Sequence, residues 1–247
     1  MLKHRIIPIV LIDGFSVLKT INFKTRRGLG SPITVMRTYE TRNVDEMVIL
    51  DIDASKQSRS MDKWLVQEIS QDCFMPLTIG GGIKTCYQIE ELLEAGADKV
   101  SINTSSITDT AFVKEAVKVF CAQCIVISID VDADAKLYNP GLSSEISVQD
   151  HIAMMHDCDV GEFLICDVAK EGTMEGPNLS LATDLTAKIE KPVIYAGGVS
   201  KPADCVDLIQ NANINAVGVS SIFHFTDYTP QDCRNALVEA GIPARAM

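Results

Sequence analysis

The chain has 247 residues, 47% of them hydrophobic and 22% charged, with a formal net charge of -11 and a pI near 4.8. That apolar content excludes disorder, and the acidic balance excludes a nucleic-acid binder, which needs a basic footprint. No apolar stretch approaches the roughly 20 residues of a membrane span, and the apolar part of "MLKHRIIPIV" is too short for a signal peptide; we expect a cytoplasmic protein without membrane contact.

Eight β-rich runs follow one another along the chain: "RIIPIVLI", "EMVILDID", "PLTIGG", "DKVSIN", "CIVISID", "EFLICDV", "PVIYAG" and "NAVGVS". The segments between them, such as "QIEELLEAGA" and "PADCVDLIQNA", carry apolar residues at helical spacing. Strands alternating with helices mean parallel βαβ units. Eight units in 247 residues fit a closed (βα)8 TIM barrel, with a doubly wound open sheet as the alternative. No linker or composition break interrupts the chain, so residues 1–247 are expected to form one domain. Side chains on a strand alternate between faces, so Arg5, Ile7, Ile9, Leu11 and Asp13 are expected on one face, toward the lumen.

The chain also repeats itself. A fixed offset of 116 carries Glu46 to Glu162, Asp51 to Asp167, Pro76 to Pro192, Gly81 to Gly197, Gly82 to Gly198 and Thr104 to Ser220. A barrel made of two similar halves produces such an offset, with two similar ligand sites on opposite sides of its mouth. "TIGGGIKT" and "YAGGVS" each end a strand in glycines, which let backbone N–H groups approach an anion. The strands that follow end in "INTSS" and "GVSSI", whose amide and hydroxyls suit phosphate oxygens. We therefore expect Gly81, Gly82, Asn103 and Thr104 at one phosphate and Gly197, Gly198, Ser220 and Ser221 at the other.

Asp130 closes the fifth predicted strand, where barrels place catalytic groups. Asp51 and Asp167 close two others and, being related by the repeat, are expected to hold loops. Arg5, Glu46, Lys99 and Glu162 open strands at the opposite end, where two charges of each sign can either neutralise one another or be separately solvated. The single tryptophan, Trp64, is expected to pack. Cys121 and Cys124 have half the spacing of a zinc or redox site but no second pair, and we expect reduced cysteines, no metal and no cofactor.

Several stretches are more specific: "RII" at 5–7, "NF" at 22–23 with Arg27, Gly30 and Pro32, "LDIDAS" at 50–55, "GGGI" at 80–83, "GADKVSINT" at 96–104, "SID" at 128–130, "EGT" at 171–173 and "FHF" at 223–225. Together they resemble the cyclase subunit of imidazole glycerol phosphate synthase, the HisF family of histidine biosynthesis, over nearly the full length. The resemblance implies a lyase-type enzyme that works as a heterodimer with a HisH-like glutaminase. That partner would dock on the N-terminal face of the barrel, where Asp98 matches a docking position. Ammonia would enter through a gate matching Arg5, Glu46, Lys99 and Glu162, and react with a phosphorylated small-molecule substrate at the mouth. Lys19 matches a lysine of the family's substrate loop, and Glu171 and Gly172 match a "DGT" motif that here reads "EGT".

Two departures stand out. The family closes the imidazole ring with two aspartates, at the ends of the first and fifth strands. Asp130 matches the second, but Leu11 occupies the place of the first, leaving Asp13 as a substitute only if the backbone shifts. The loop 131–149 is also shorter than in the family. The expected function is thus a HisF-like synthase subunit. One alternative is a paralog that amidates a nucleotide-activated sugar for surface polysaccharide, another a non-catalytic scaffold or activator of the glutaminase. Retention of Asp130, Lys19 and both phosphate cups argues against the scaffold.

Overall fold

The computed structural model describes residues 3–142 and 146–245. Strand β1 (Arg5–Ile12) is followed by an antiparallel hairpin, β2 (Val17–Ile21) and β3 (Thr25–Gly30). Seven parallel strands come next: β4 (Met47–Asp51), β5 (Leu77–Gly80), β6 (Lys99–Ile102), β7 (Ile125–Val131), β8 (Glu162–Asp167), β9 (Val193–Ala196) and β10 (Ala216–Val219). They pair in chain order, and β10 returns to β1 from Arg5↔Ala216 to Pro8↔Val219. That last ladder closes the barrel and rules out the open sheet.

Ten α-helices stand among the described residues: α1 (Pro32–Thr41), α2 (Lys63–Gln71), α3 (Cys86–Glu94), α4 (Thr104–Thr108), α5 (Thr110–Phe120), α6 (Val148–Asp157), α7 (Leu179–Thr186), α8 (Pro202–Asn211), α9 (Ile222–Phe225) and α10 (Pro230–Glu239). Side chains that suit the role start them: Asp62, Thr85, Asp109, Ser147, Asn178 and Thr229 each accept backbone N–H groups of the first turn. None of these helices is long and apolar enough to cross a membrane.

Alternation sorts the core into two clusters. Ile6, Val10 and Ile12 of β1 pack outward against the helices, while Ile7, Ile9 and Leu11 join Val48, Val126, Leu164 and Ile194 inside the lumen. The alternation stops at Ile12. Residues 13–16 turn, with Asp13 N donating to Ser16 O at 3.2 Å, so Asp13 leaves the inward row expected from the strand pattern. Trp64 differs from expectation as well: it is 67% exposed, standing on the outer face of α2. All eight cysteines are free thiols.

One buried polar contact between helices sets a pH dependence. His151 of α6 is fully buried, with Nε2 at 3.1 Å from the Ser106 hydroxyl of α4. Burial lowers its pKa from 6.5 to about 4. Between those values the unfolded chain binds a proton that the folded chain refuses, so stability falls as pH drops from 6.5 toward 4. The loss amounts to about 3 kcal/mol. We expect a His151→Gln variant to lose this part of the acid sensitivity, read as a smaller difference between melts at neutral and acid pH. An unchanged difference would show that His151 titrates normally.

Candidate functional site

At the N-terminal end of the barrel the four predicted charges form one closed ring. Arg5 Nη1 donates to Glu46 Oε2 at 2.5 Å, and Arg5 Nη2 to Glu162 Oε1. Lys99 Nζ donates to the remaining oxygen of each, Glu46 Oε1 and Glu162 Oε2, both at 2.8 Å. Signs therefore alternate around the ring. Burial opposes charge on Arg5 and Lys99, yet the carboxylates of Glu162 and Glu46 outweigh it and hold both cations above their ordinary pKa. Burial likewise pushes Glu162 up, and Arg5 with Lys99 outweighs that and holds it below the usual carboxylate value. Thr78, one layer further in, donates to Glu46 Oε1 at 3.2 Å. Asp98 lies at the same end, exposed, its carboxylate accepting from Leu77 N at 2.8 Å.

Above the ring the lumen is apolar, with hydroxyls at Ser101 and Ser128, and it widens at the C-terminal end into a cavity of about 510 Å³. Both predicted cups line that cavity: Gly81, Gly82, Asn103 and Thr104 on one side, Gly197, Gly198, Ser220 and Ser221 on the other. The repeat is physical as well as numerical. Gly81 and Gly197 have φ of +123° and +130°, and a Cβ on each would press against the carbonyl of Asp51 or Asp167, at 2.5 and 2.8 Å. Only glycine lets each loop lie against its acidic neighbour. The two acids brace loops as expected: Asp51 accepts from Asp53 N, Ala54 N and Arg59 Nη1, and Asp167 from Lys170 N and the Tyr195 hydroxyl.

Asp130 and Leu11 both line the cavity, from β7 and β1, the fifth and first strands of the barrel and therefore opposite walls. Burial raises the Asp130 pKa to about 7, against a partly opposing hydrogen bond from Asn103 Nδ2 at 2.8 Å. The nearby charge of Glu171 adds to the rise. Asp13 is not among the lining residues.

The hairpin β2–β3 folds over one side of the mouth, and "NF" and "EGT" are what fasten it. Glu171 accepts from Thr20 Oγ1 at 2.8 Å and from Phe23 N at 3.1 Å, while Asn22 Nδ2 donates to the carbonyls of Val168 and Ala169. Gly172 has φ +75°, and a Cβ there would sit 2.0 Å from Thr20 O, so a side chain would lift the hairpin off. Phe23 meets Tyr138 edge-on at 5.8 Å, and Tyr138 N donates to Asp130 O at 2.8 Å. The loop after β7 thus reaches the mouth through Tyr138, and its residues 143–145 lie outside the described residues.

Lys19 is placed differently from expectation. Alternation along β2 gives Thr20 to the cavity and turns Lys19 away, so it is not among the lining residues. Its ammonium is buried without a hydrogen-bond partner among the described residues, and burial lowers its pKa to about 8, with Glu171 partly opposing. Cys166 and Tyr138 line the cavity and were not singled out from the sequence; Cys166 is the inward residue two positions after Leu164, a placement that alternation could have supplied.

The chain is thus a closed (βα)8 barrel with a charge ring at one end and, at the other, two glycine loops around a buried aspartate. Residues 5–229 match the histidine biosynthesis protein family. A Campylobacter jejuni protein named "Putative imidazole glycerol phosphate synthase subunit hisF2" is 41% identical to this chain over a 250-residue alignment covering 100% of both. The chain belongs to the histidine biosynthesis family, on its HisF-like side.

Proposed function

We propose that this barrel is the ammonia-using synthase subunit of a glutamine amidotransferase. A HisH-like glutaminase docks at the N-terminal face beside Asp98, and ammonia passes the ring of Arg5, Glu46, Lys99 and Glu162. It then reacts at the mouth with a substrate phosphorylated at both ends. The observation that carries this reading is continuity: the ring stands at one end of the lumen whose other end holds Asp130. Neutral ammonia crosses the apolar lumen at little desolvation cost, whereas ammonium would leave a charge unpaired there. With a pKa of about 7, Asp130 both accepts and donates a proton near neutral pH.

Leu11 favours a second reading within this frame. It puts an inert side chain opposite Asp130, which suits a substrate that takes up ammonia without closing a ring, such as a nucleotide-activated sugar. The test of the shared frame is nitrogen supply. With the ribotide of histidine biosynthesis and nucleotide-activated sugars offered in parallel as acceptors, and isotope-labelled ammonium or glutamine as donor, the isolated chain should incorporate label into one of them from ammonium alone. Adding the glutaminase should bring in the glutamine amide. Glutamine use by the isolated chain would overturn the channel reading.

A further inference from the structure

The two cups are alike in backbone but not in charge. Among the described residues that line the cavity, the only cationic side chains are Arg26 of β3 and Lys56 of the loop after β4. Both belong to the side of the first cup. That loop starts at Asp51, whose carbonyl abuts Gly81, and runs so close to the cup that a Cβ on Gly82 would sit 1.9 Å from Arg59 O and 3.1 Å from the carbonyl carbon of Ala54. Ser55 and Lys56 follow directly and line the cavity there. The second cup, at Gly197, Gly198, Ser220 and Ser221, has hydroxyls and amides, and no cationic side chain from its own loops is among the described residues that line the cavity.

Asp53 holds the two cations together. Its carboxylate accepts from Arg26 Nη2 at 2.7 Å and from Nη1, and from Lys56 Nζ at 3.3 Å. The hydrogen bonds from Arg26 hold the Asp53 carboxyl down at about 2, so it is a fixed anion at any working pH. Asp13 lies near enough to favour the Arg26 charge further. The pairing leaves donors over: Nε and the outer Nη hydrogens of Arg26, and two of the three ammonium hydrogens of Lys56. Arg26 and Lys56 keep 36% and 70% of their side-chain surface exposed, so both can turn toward an incoming anion while Asp53 keeps them at the rim. With one phosphoryl group on the backbone N–H groups of the cup, the exposed side chains of Arg26 and Lys56, on the neighbouring hairpin and loop, would be free to meet a second.

We propose that Arg26 and Lys56, positioned by Asp53, form an outer anion subsite over the Gly81–Gly82 cup that selects a diphosphate ester at that end of the substrate. The inference rests on the reading of the cups as phosphate sites and adds which cup takes the more highly charged end.

The test is calorimetric titration of the full chain with inorganic pyrophosphate and inorganic phosphate, in buffer free of divalent cations and at low salt, where exposed charges are least screened. Pyrophosphate should bind about tenfold more tightly than phosphate. Arg26→Leu and Lys56→Ala should each weaken pyrophosphate about fivefold and phosphate less than about twofold, with Arg26→Lys between, because it keeps charge but loses the fork. Melting curves of each variant establish that it is folded. If phosphate binds but pyrophosphate binds no tighter, the outer subsite is wrong and the cups stand. Equal losses of both anions in the variants would also overturn it. If neither anion binds, the cup reading fails and takes this inference with it.

Discussion

Glu162→Gln should destabilise the barrel by about 2 kcal/mol. Removing one member of a buried ion pair costs about 3–5 kcal/mol, since it leaves a charge unpaired in a poor solvent. Here the cost is smaller because Arg5 and Lys99 keep 25% and 22% of their side-chain surface in water. The variant leaves two cations sharing Glu46 alone, which already accepts from both and from Thr78. Removing Lys99 as well, in Glu162→Gln with Lys99→Met, restores one charge of each sign and should recover most of the loss. Urea denaturation of the single and double variants gives both numbers. The sign with pH follows from Glu162, whose pKa is lowered from 4.5 in the fold. Its contribution is present above 4.5 and disappears as pH falls through the lower folded value. A single variant as stable as the native chain would mean the four charges are solvated separately.

The ring was half legible in the sequence. Strand alternation put Arg5 on the same face as Ile7 and Ile9, and the offset of 116 paired Glu46 with Glu162. Nothing in the spacing told a closed ring from four solvated charges, since that depends on carboxylate oxygens meeting across the lumen. The glycine cups were fully legible in placement, because positive φ and backbone contact leave glycine no substitute. The hairpin was not. "TRRGLG" has no alternating apolar face, and β3 is a strand only because β2 pairs with it above the mouth. Missing the hairpin had two consequences. Lys19, read as loop, becomes a strand residue whose alternation turns it away from the cavity. Arg26 reaches Asp53 across 27 residues, a contact that no local pattern announces.

With the acceptor into which the native chain incorporates ammonium, Asp130→Asn should lower turnover by about 10²–10⁴-fold, the usual effect of removing a positioned acid or base. The loss should come in kcat more than in KM, because Asn103 can still hold the amide where it held the carboxylate. The companion experiment is Leu11→Asp. The resemblance implies ring closure by an acid at the end of each of the first and fifth strands; here Asp130 stands on the fifth, while Leu11, 6% exposed, faces the cavity from the first. Asp13 lies two residues on, roughly 7 Å along a strand at about 3.3 Å per residue, and the turn at 13–16 takes it out of the inward row. It is therefore out of hydrogen-bonding reach of an atom beside Leu11. We expect the native chain to form little or no imidazole glycerol phosphate from the histidine-pathway ribotide and ammonium, and not to rescue a histidine auxotroph lacking the cyclase. Leu11→Asp should gain ring closure if the rest of the cavity still fits that ribotide. If native turnover matches that of an ordinary family cyclase, Leu11 has not changed the chemistry. If Leu11→Asp stays inactive on the ribotide while phosphate still binds both cups, the cavity has been rebuilt for another acceptor, and Leu11 is one part of that change rather than the whole of it.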